Sequence, residues 1–255
     1  MIPTDTSEVR YEFKPFKYSS HYWILKLLEG EREPVSILDV GTASGYLGEV
    51  WKKSGHHVTG IEFDPAAAAK AKENYHAFRV ADIETFDFPY RSEFDYIVFA
   101  DVLEHLRDPA AVLRRSIPGL KESGKIIISL PNVANWVIRL GLLFGRFDYT
   151  DRGILDRTHL RFFTLRSAGQ LMDDASCEVL DVIPTPLPVQ LIFPFTEKNF
   201  FRPMHEIHYA LTRSWTSLFA YQFVMMAAPD PFRDPVESSL AGERRHSSER
   251  AVVNR

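Results

Sequence analysis

Apolar positions along the chain follow two rhythms, short continuous runs and stretches in which they return at helical spacing. The first run lies in VSILDV, where Val35, Ile37, Leu38 and Val40 lead to Gly41, and the helix-like YLGEVWKKSG follows Gly45. That order predicts a buried strand, a tight turn and a helix whose first N–H groups face the C-terminal edge of a sheet. His57 to Ile61, Phe78 to Ala81, Tyr96 to Ala100 and Ser123 to Leu130 predict four more strands. Between them, Asp64-Pro65 and Asp108-Pro109 each open a helix with an aspartate N-cap and proline at the first helical position. Ahead of the first strand, Tyr18 to Leu28 reads as an amphipathic helix with Tyr22, Leu25 and Leu28 toward one side. Repeated βα units give a mostly parallel sheet with helices on both faces and right-handed connections.

The rhythm breaks between Val133 and His159. Asn135 to Phe144 is apolar apart from one arginine, and the polar run GRFDYTDRGILDRTH follows it. So long an excursion at the ligand edge is expected to be a functional lid. Thr164 then caps a helix, and Cys177 to Ile183 predicts a sixth strand. Pro184, Pro186, Pro188 and Pro194 predict an extended path over the surface, and Leu218 to Ala228 a last strand. The organisation expected is an N-terminal arm and lid-like helix over 1–34, an α/β domain over 35–228 with a substrate-side insertion at about 133–163, and a disordered tail over 229–255.

Composition narrows the function. The 255-residue chain can bury a full core as one elaborated domain. With 30 Lys and Arg against 34 Asp and Glu, its charge of -4 argues against a general nucleic-acid binder. One cysteine, Cys177, excludes an internal disulfide and a cysteine-rich zinc module, and it is expected to be a small buried filler. The opening MIPTDTSEVRYEF carries no basic and apolar leader, and no apolar run reaches a membrane-spanning length, so a soluble cytoplasmic protein without a transmembrane segment is expected.

Candidate chemistry gathers at the C-terminal strand ends, where Gly41, Glu62, Asp82, Asp101 and Asn132 fall. Gly41 and Gly45 let the backbone approach a ligand. Glu62, well downstream of Asp39 at the end of the second strand, stands where a nucleotide-binding α/β unit needs an acceptor for ribose hydroxyls.

LDVGTASG, GIEFDP, ADIE, FDYIVFADVLEHLRDP and GKIIISLPN together resemble the class I S-adenosylmethionine-dependent methyltransferases, well over 35 to about 184 and loosely to 228. The resemblance implies a Rossmann-like, mostly parallel seven-stranded sheet whose last strand is antiparallel, inserted beside the sixth. It implies S-adenosyl-L-methionine as cofactor, with Asp39, Gly41, Thr42, Gly45, Glu62, Phe63, Asp82, Ile83 and Asp101 around it. Asp39 would orient the turn or meet the ammonium through water, Glu62 would accept both ribose hydroxyls, and Asp82 the adenine amine, with Ile83 and Phe63 against the ring. Ala43 stands where the family often has glycine, and Ser44 could donate a hydrogen bond. A nicotinamide-binding dehydrogenase is the nearest rival, disfavoured by Asp82 and by the lack of a second dinucleotide-binding half.

At the reacting end, His105 could take a proton, Glu104 could orient it or hold a substrate cation, and His159 could return to the mouth after the lid. The pattern is also similar in part to ubiquinone-pathway O-methyltransferases and small-RNA 2'-O-methyltransferases. That resemblance implies an alternative, divalent-metal-assisted site of Asp101, Glu104, His105 and His159. Asp101 is there one methylene shorter than the family's glutamate. The expected function is methyl transfer to a hydroxyl, or less readily an amine, of a small polar metabolite or sugar-containing product. A non-catalytic cofactor-binding subunit is the alternative outside catalysis. Trp136, Leu140, Leu143 and Phe144 recur at helical spacing and could cover the pocket, touch a membrane surface or form a homodimer contact.

Overall fold

The computed structural model describes residues 16–230 apart from residue 198. Most of the expected N-terminal arm, including Tyr11 and Phe13, and nearly all of the expected tail lie outside the described residues. α1 (Ser20–Leu28) starts where the Ser19 side chain accepts from the Tyr22 N–H, and it buries His21, Ile24 and Leu28. β1 (Ser36–Val40) buries every residue after Ser36, as a central strand must. A turn carries it into α2 (Tyr46–Lys53). β2 (His57–Glu62), α3 (Pro65–Ala71) and β3 (Ala77–Val80) follow. Asp64 caps α3, with Pro65 in its first turn.

β4 (Phe94–Ala100) leads through a short 3-10 turn, Leu103–His105, to α4 (Pro109–Ser116), which Asp108 caps. β5 (Leu120–Pro131) runs into α5 (Trp136–Leu143). α6 (Leu165–Asp174) opens with a reciprocal capping box between Thr164 and Ser167, and β6 (Cys177–Thr185) follows. The chain then builds α7 (Val189–Ile192), α8 (Arg202–Ser214) and α9 (Thr216–Phe219) before returning as β7 (Gln222–Pro229).

The strands form one sheet in the order β3-β2-β1-β4-β5-β7-β6. β1 to β5 are parallel, and β7 lies antiparallel between β5 and β6. Alternation along each strand divides the core. Ile126, Ile128, Phe223 and Met225 face one side with α4 and α6, whereas Ile127 and Val224 face the other with α1 and α2. Cys177 is fully buried in the first of these layers.

The structure corrects two expectations after β6. The last strand begins at Gln222 rather than Leu218, because Thr216 to Phe219 close a helical turn and the Ala220 carbonyl accepts from both Asn132 and Asn135. The path from 186 to 217 is partly helical, not simply extended. Pro203 sits in the first turn of α8, where the missing N–H would have no partner anyway.

Pro131 at the end of β5 and Thr185 at the end of β6 both pair with Gln222, the first residue of β7. α5 and the helices between β6 and β7 therefore all spring from the C-terminal edge of the sheet, where open α/β sheets place their ligands.

Candidate functional site

The turn after β1 is left-handed at Gly41 (φ 78°), Ala43 (φ 47°) and Gly45 (φ 81°). A Cβ on Gly41 would come 2.5 Å from Val102 Cγ2, and one on Gly45 would come 2.9 Å from Ala71 Cα. The turn thus requires glycine at both positions before any ligand approaches. Ala43 holds the same hand without glycine's freedom, and its N–H donates to Glu62 Oε2 at 2.8 Å.

Asp39 is buried directly beneath this turn. Its Oδ2 accepts from the Tyr75 hydroxyl at 2.6 Å, while Oδ1 is buried with no hydrogen-bond partner among the described residues. Burial pushes the Asp39 carboxyl up to about 7, against the bond from Tyr75 and with the nearby charge of Glu62. A buried, unsatisfied carboxylate oxygen is costly, and a cationic group at the sheet edge would relieve it. The ammonium of S-adenosylmethionine fits that need.

Glu62 is half-buried at the end of β2, its Oε1 accepting from the Asp64 N–H at 2.9 Å. Each of its oxygens keeps a second lone pair for a ribose hydroxyl. Burial raises its pKa against the pull of these amide bonds. Beside it Phe63, the residue after β2, is 69% exposed. Asp82 is exposed, and its Oδ1 accepts from the Glu84 N–H at 2.9 Å in a turn that leaves Ile83 buried. Thr42 is buried in the turn after β1.

Asp101 follows β4 directly in a left-handed conformation (φ 57°). Its Oδ1 accepts from the Ser129 hydroxyl and from Gln222 Nε2, so β4, β5 and β7 are tied together at the edge. Strain of this kind outside glycine concentrates at functional sites.

The structure brings Glu104, His105 and His159 together, with a ligand atom of each within 4.8 Å of the others. The Leu160 and Arg161 N–H groups both donate to the Glu104 carbonyl and hold the returning loop on the turn after β4. The His159 ring then lies 4.8 Å from the His105 ring, and its Nε2 is 3.9 Å from Glu104 Oε1. His159 Nδ1 donates to the Ile154 carbonyl at 3.1 Å, and His105 Nδ1 to the Thr158 carbonyl at 3.2 Å. These backbone acceptors fix the tautomers and leave each Nε2 with a lone pair. Desolvation first, then the neighbouring His105, lower the His159 pKa, so the ring is neutral at neutral pH. Asp101 lies outside this group of three.

Sequence reasoning missed several residues. Tyr46 opens α2 with its hydroxyl 3.2 Å from His21 Nε2 of α1. Burial, and then the charges of Asp101, Asp39 and Glu62, hold its phenol protonated, which places it amid the edge acids. Its position directly after Gly45 was the available signal. Thr158 and Asp156 form a relay behind His105, the Thr158 hydroxyl lying 2.6 Å from Asp156 Oδ1 and 3.2 Å from His105 Nδ1. Only the fold of the loop reveals it.

A family model described as a methyltransferase domain matches residues 17–182. A ubiquinone biosynthesis O-methyltransferase of Idiomarina loihiensis is 27% identical over 152 residues, 56% of this chain and 61% of that protein. One from Xanthomonas axonopodis pv. citri is 30% identical over 173 residues, 60% of this chain and 70% of that protein. The chain thus spans under two thirds of the length of the first of these relatives. Among solved structures, an S-adenosylmethionine-dependent methyltransferase from Mesorhizobium loti superposes with a TM-score of 0.55 at 14% identity, covering 82% of this chain and 97% of that one. With a sheet order and an edge of acids and left-handed turns to match, the chain belongs to the class I S-adenosylmethionine-dependent methyltransferase family, distantly related to the ubiquinone-pathway O-methyltransferases.

Proposed function

We propose that the protein transfers a methyl group from S-adenosylmethionine to a hydroxyl oxygen of a small molecule. The observation that carries the reading is the meeting of Glu104, His105 and His159 at the edge where Asp39, Glu62 and Asp101 also end. Bound at that edge, S-adenosylmethionine would supply a methyl group made electrophilic by its sulfonium. Asp39, with the turn of Gly41, Thr42 and Gly45, would hold its amino-acid end. Glu62 would hold the ribose hydroxyls in charge-assisted bonds, and Asp82, Ile83 and Phe63 would frame the adenine. Asp101 would wall the mouth from the β4 side.

His159 accepts the hydroxyl proton at Nε2 while Nδ1 stays on the Ile154 carbonyl. The imidazolium so formed lies 3.9 Å from the buried Glu104 carboxylate, which stabilises the new charge. An oxygen acceptor also agrees with the O-methyltransferase names of the two relatives.

The test is methyl transfer from labelled cofactor to a panel of hydroxylated metabolites, followed as a pH profile. Turnover should show an acid limb below the ordinary imidazole value of 6.5, because the His159 pKa is lowered. His159→Gln should reduce kcat by about 10²-fold or more. Cofactor binding with no transfer under any condition, or full turnover in His159→Gln, overturns the reading.

One observation favours a second reading at the same residues. Two imidazoles with Nδ1 on backbone carbonyls and one buried carboxylate form a donor set suited to a divalent cation. Glu104, His105 and His159 would hold such an ion, which would lower the pKa of a bound hydroxyl. Elemental analysis and chelation test it: a bound ion and activity lost in chelator support it, and full activity in chelator rejects it.

A further inference from the structure

α5 has no buried residue. Around it Leu140 and Leu142 are exposed, Leu143 is 77% exposed and Phe144 is 73% exposed. A helix that is apolar nearly all round belongs in an apolar environment, yet here only Ile138 and Gly141 are half-buried and the rest of its surface is open. α8 adds a second uncovered stripe, in which Met204, Ile207 and Leu211 recur at helical spacing and are all exposed. Phe193, Phe195 and Phe200 are exposed on the turns that lead into α8. Monomeric surfaces rarely leave so much apolar area open without a partner.

Topology puts these elements together. α5 leaves β5 at Pro131, and α7 to α9 bridge Thr185 and Gln222, all at one end of the sheet. Asn135, the N-cap of α5, donates through Nδ2 to the carbonyls of Phe219 and Ala220 at 3.2 and 2.8 Å, and so fastens the base of α5 to the end of α9.

Charge selects the occupant. Over 133–166 the sequence carries six arginines, at 139, 146, 152, 157, 161 and 166, against three aspartates, at 148, 151 and 156, in a chain whose total is -4. All six arginines are exposed, whereas Asp156 is 1% exposed and faces inward. Arg157 is paired with Asp151 and Arg161 reaches the Arg107 carbonyl, which leaves Arg139 on α5 with Arg146 and Arg152 just after it against Asp148, a local excess of positive charge beside the bare helix in a chain that is acidic elsewhere. A two-fold dimer through this face would set arginines against arginines. An anionic lipid surface matches both features, taking apolar side chains into the headgroup boundary and arginines against the phosphates. Among the described residues no helix is long and apolar enough to cross a membrane, so the contact would be from one side.

We propose that the C-terminal edge of the sheet, through α5 and α8, docks on an anionic bilayer and sets the substrate mouth against the lipid. The docking is independent of the methyl acceptor and of any bound cofactor. Its test is cosedimentation of the full chain with phosphatidylcholine vesicles and with phosphatidylcholine–phosphatidylglycerol vesicles, at low and high salt. Light scattering of the protein alone runs in parallel. The expected result is binding to the mixed vesicles that weakens with salt, as screening of exposed charge requires. The double variant Leu143→Ser, Phe144→Ser should bind about tenfold more weakly or worse with its melting temperature kept, since both side chains are already in solvent. Arg146→Gln with Arg152→Gln, which leaves the apolar face intact, should lose about tenfold on mixed vesicles. Binding to neither vesicle, equal binding to both, or a dimer that the Leu143→Ser, Phe144→Ser variant splits would overturn the proposal.

Discussion

Asp39 binds its environment to pH more directly than any other residue of the cofactor edge. Its carboxyl sits at about 7 because burial disfavours the charge, so in the ligand-free protein it is largely neutral below that value. An ammonium beside it favours the ionised form. Affinity for S-adenosylhomocysteine should therefore rise by up to about tenfold per pH unit from the ordinary carboxylate value towards 7 and flatten above it. Stability without ligand carries the opposite sign. A folded pKa raised above the unfolded 3.8 gives a contribution fully present below 3.8 and lost as pH rises through about 7. Calorimetry across this range checks both slopes, and Asp39→Asn should flatten them; a flat wild-type profile would remove Asp39 from the ammonium site. Ala43 offers a second measurement. It holds φ 47° with a Cβ that disfavours that region, so Ala43→Gly should stabilise the protein by about 1 kcal/mol in chemical denaturation, with the Glu62 contact retained.

Among the elements, α5 depends on one side chain. Asn135 is fully buried; its Oδ1 accepts from the Val137 N–H at 3.0 Å, while its Nδ2 serves two carbonyls at the end of α9. Asn135→Ala removes an N-cap and the Nδ2 bonds to the Phe219 and Ala220 carbonyls, the second of which Asn132 still serves, at a cost of about 2 kcal/mol. A melt followed by circular dichroism should fall by about 4–8 °C, with faster proteolysis between 136 and 144 as the local sign. An unchanged melt would mean that α5 is held by other contacts. The elements up to β6 were legible because their patterns are local: continuous apolar strands, aspartate caps before proline, and glycine where the chain turns left-handed. α8 was missed because the prolines before it read as an extended path, although Pro203 followed by Met204, Ile207 and Leu211 is a helix start with an apolar stripe. The position of His159 after the lid suggested a return to the mouth, and the family resemblance joined it to His105. Their meeting is built by backbone N–H groups of Leu160 and Arg161 on the Glu104 carbonyl, and no side-chain pattern encodes such bonds.

For the whole molecule, the cofactor edge and the acceptor side have different physical origins. The edge is fixed by the sheet: β1, β2 and β4 end together in register, so core packing places Asp39, which is buried, and Glu62 and Asp101, which are half-buried at the strand ends. The proposed acceptor side joins Glu104 and His105 of the turn after β4 to His159 of the excursion after β5, and such loops can vary on one fold while the sheet edge stays. Occupying the edge should therefore stabilise the entire domain, not a loop. Ligand at about 100 times its dissociation constant adds about 2.7 kcal/mol to the folded state. For a domain of this size that is a rise of about 5–10 °C in melting temperature. Glu62 gives the discriminating variants. It accepts from the Ala43 and Asp64 N–H groups, so Glu62→Ala lowers the ligand-free melt as well as binding. Glu62→Gln keeps one acceptor for those amides but loses the charge that strengthens its bonds to ribose hydroxyls. The readout is the ligand-induced shift relative to each variant's own baseline. S-adenosylhomocysteine should shift wild type fully, Glu62→Gln partly and Glu62→Ala least, and equal shifts in all three would mean that the carboxylate at the end of β2 does not hold the sugar.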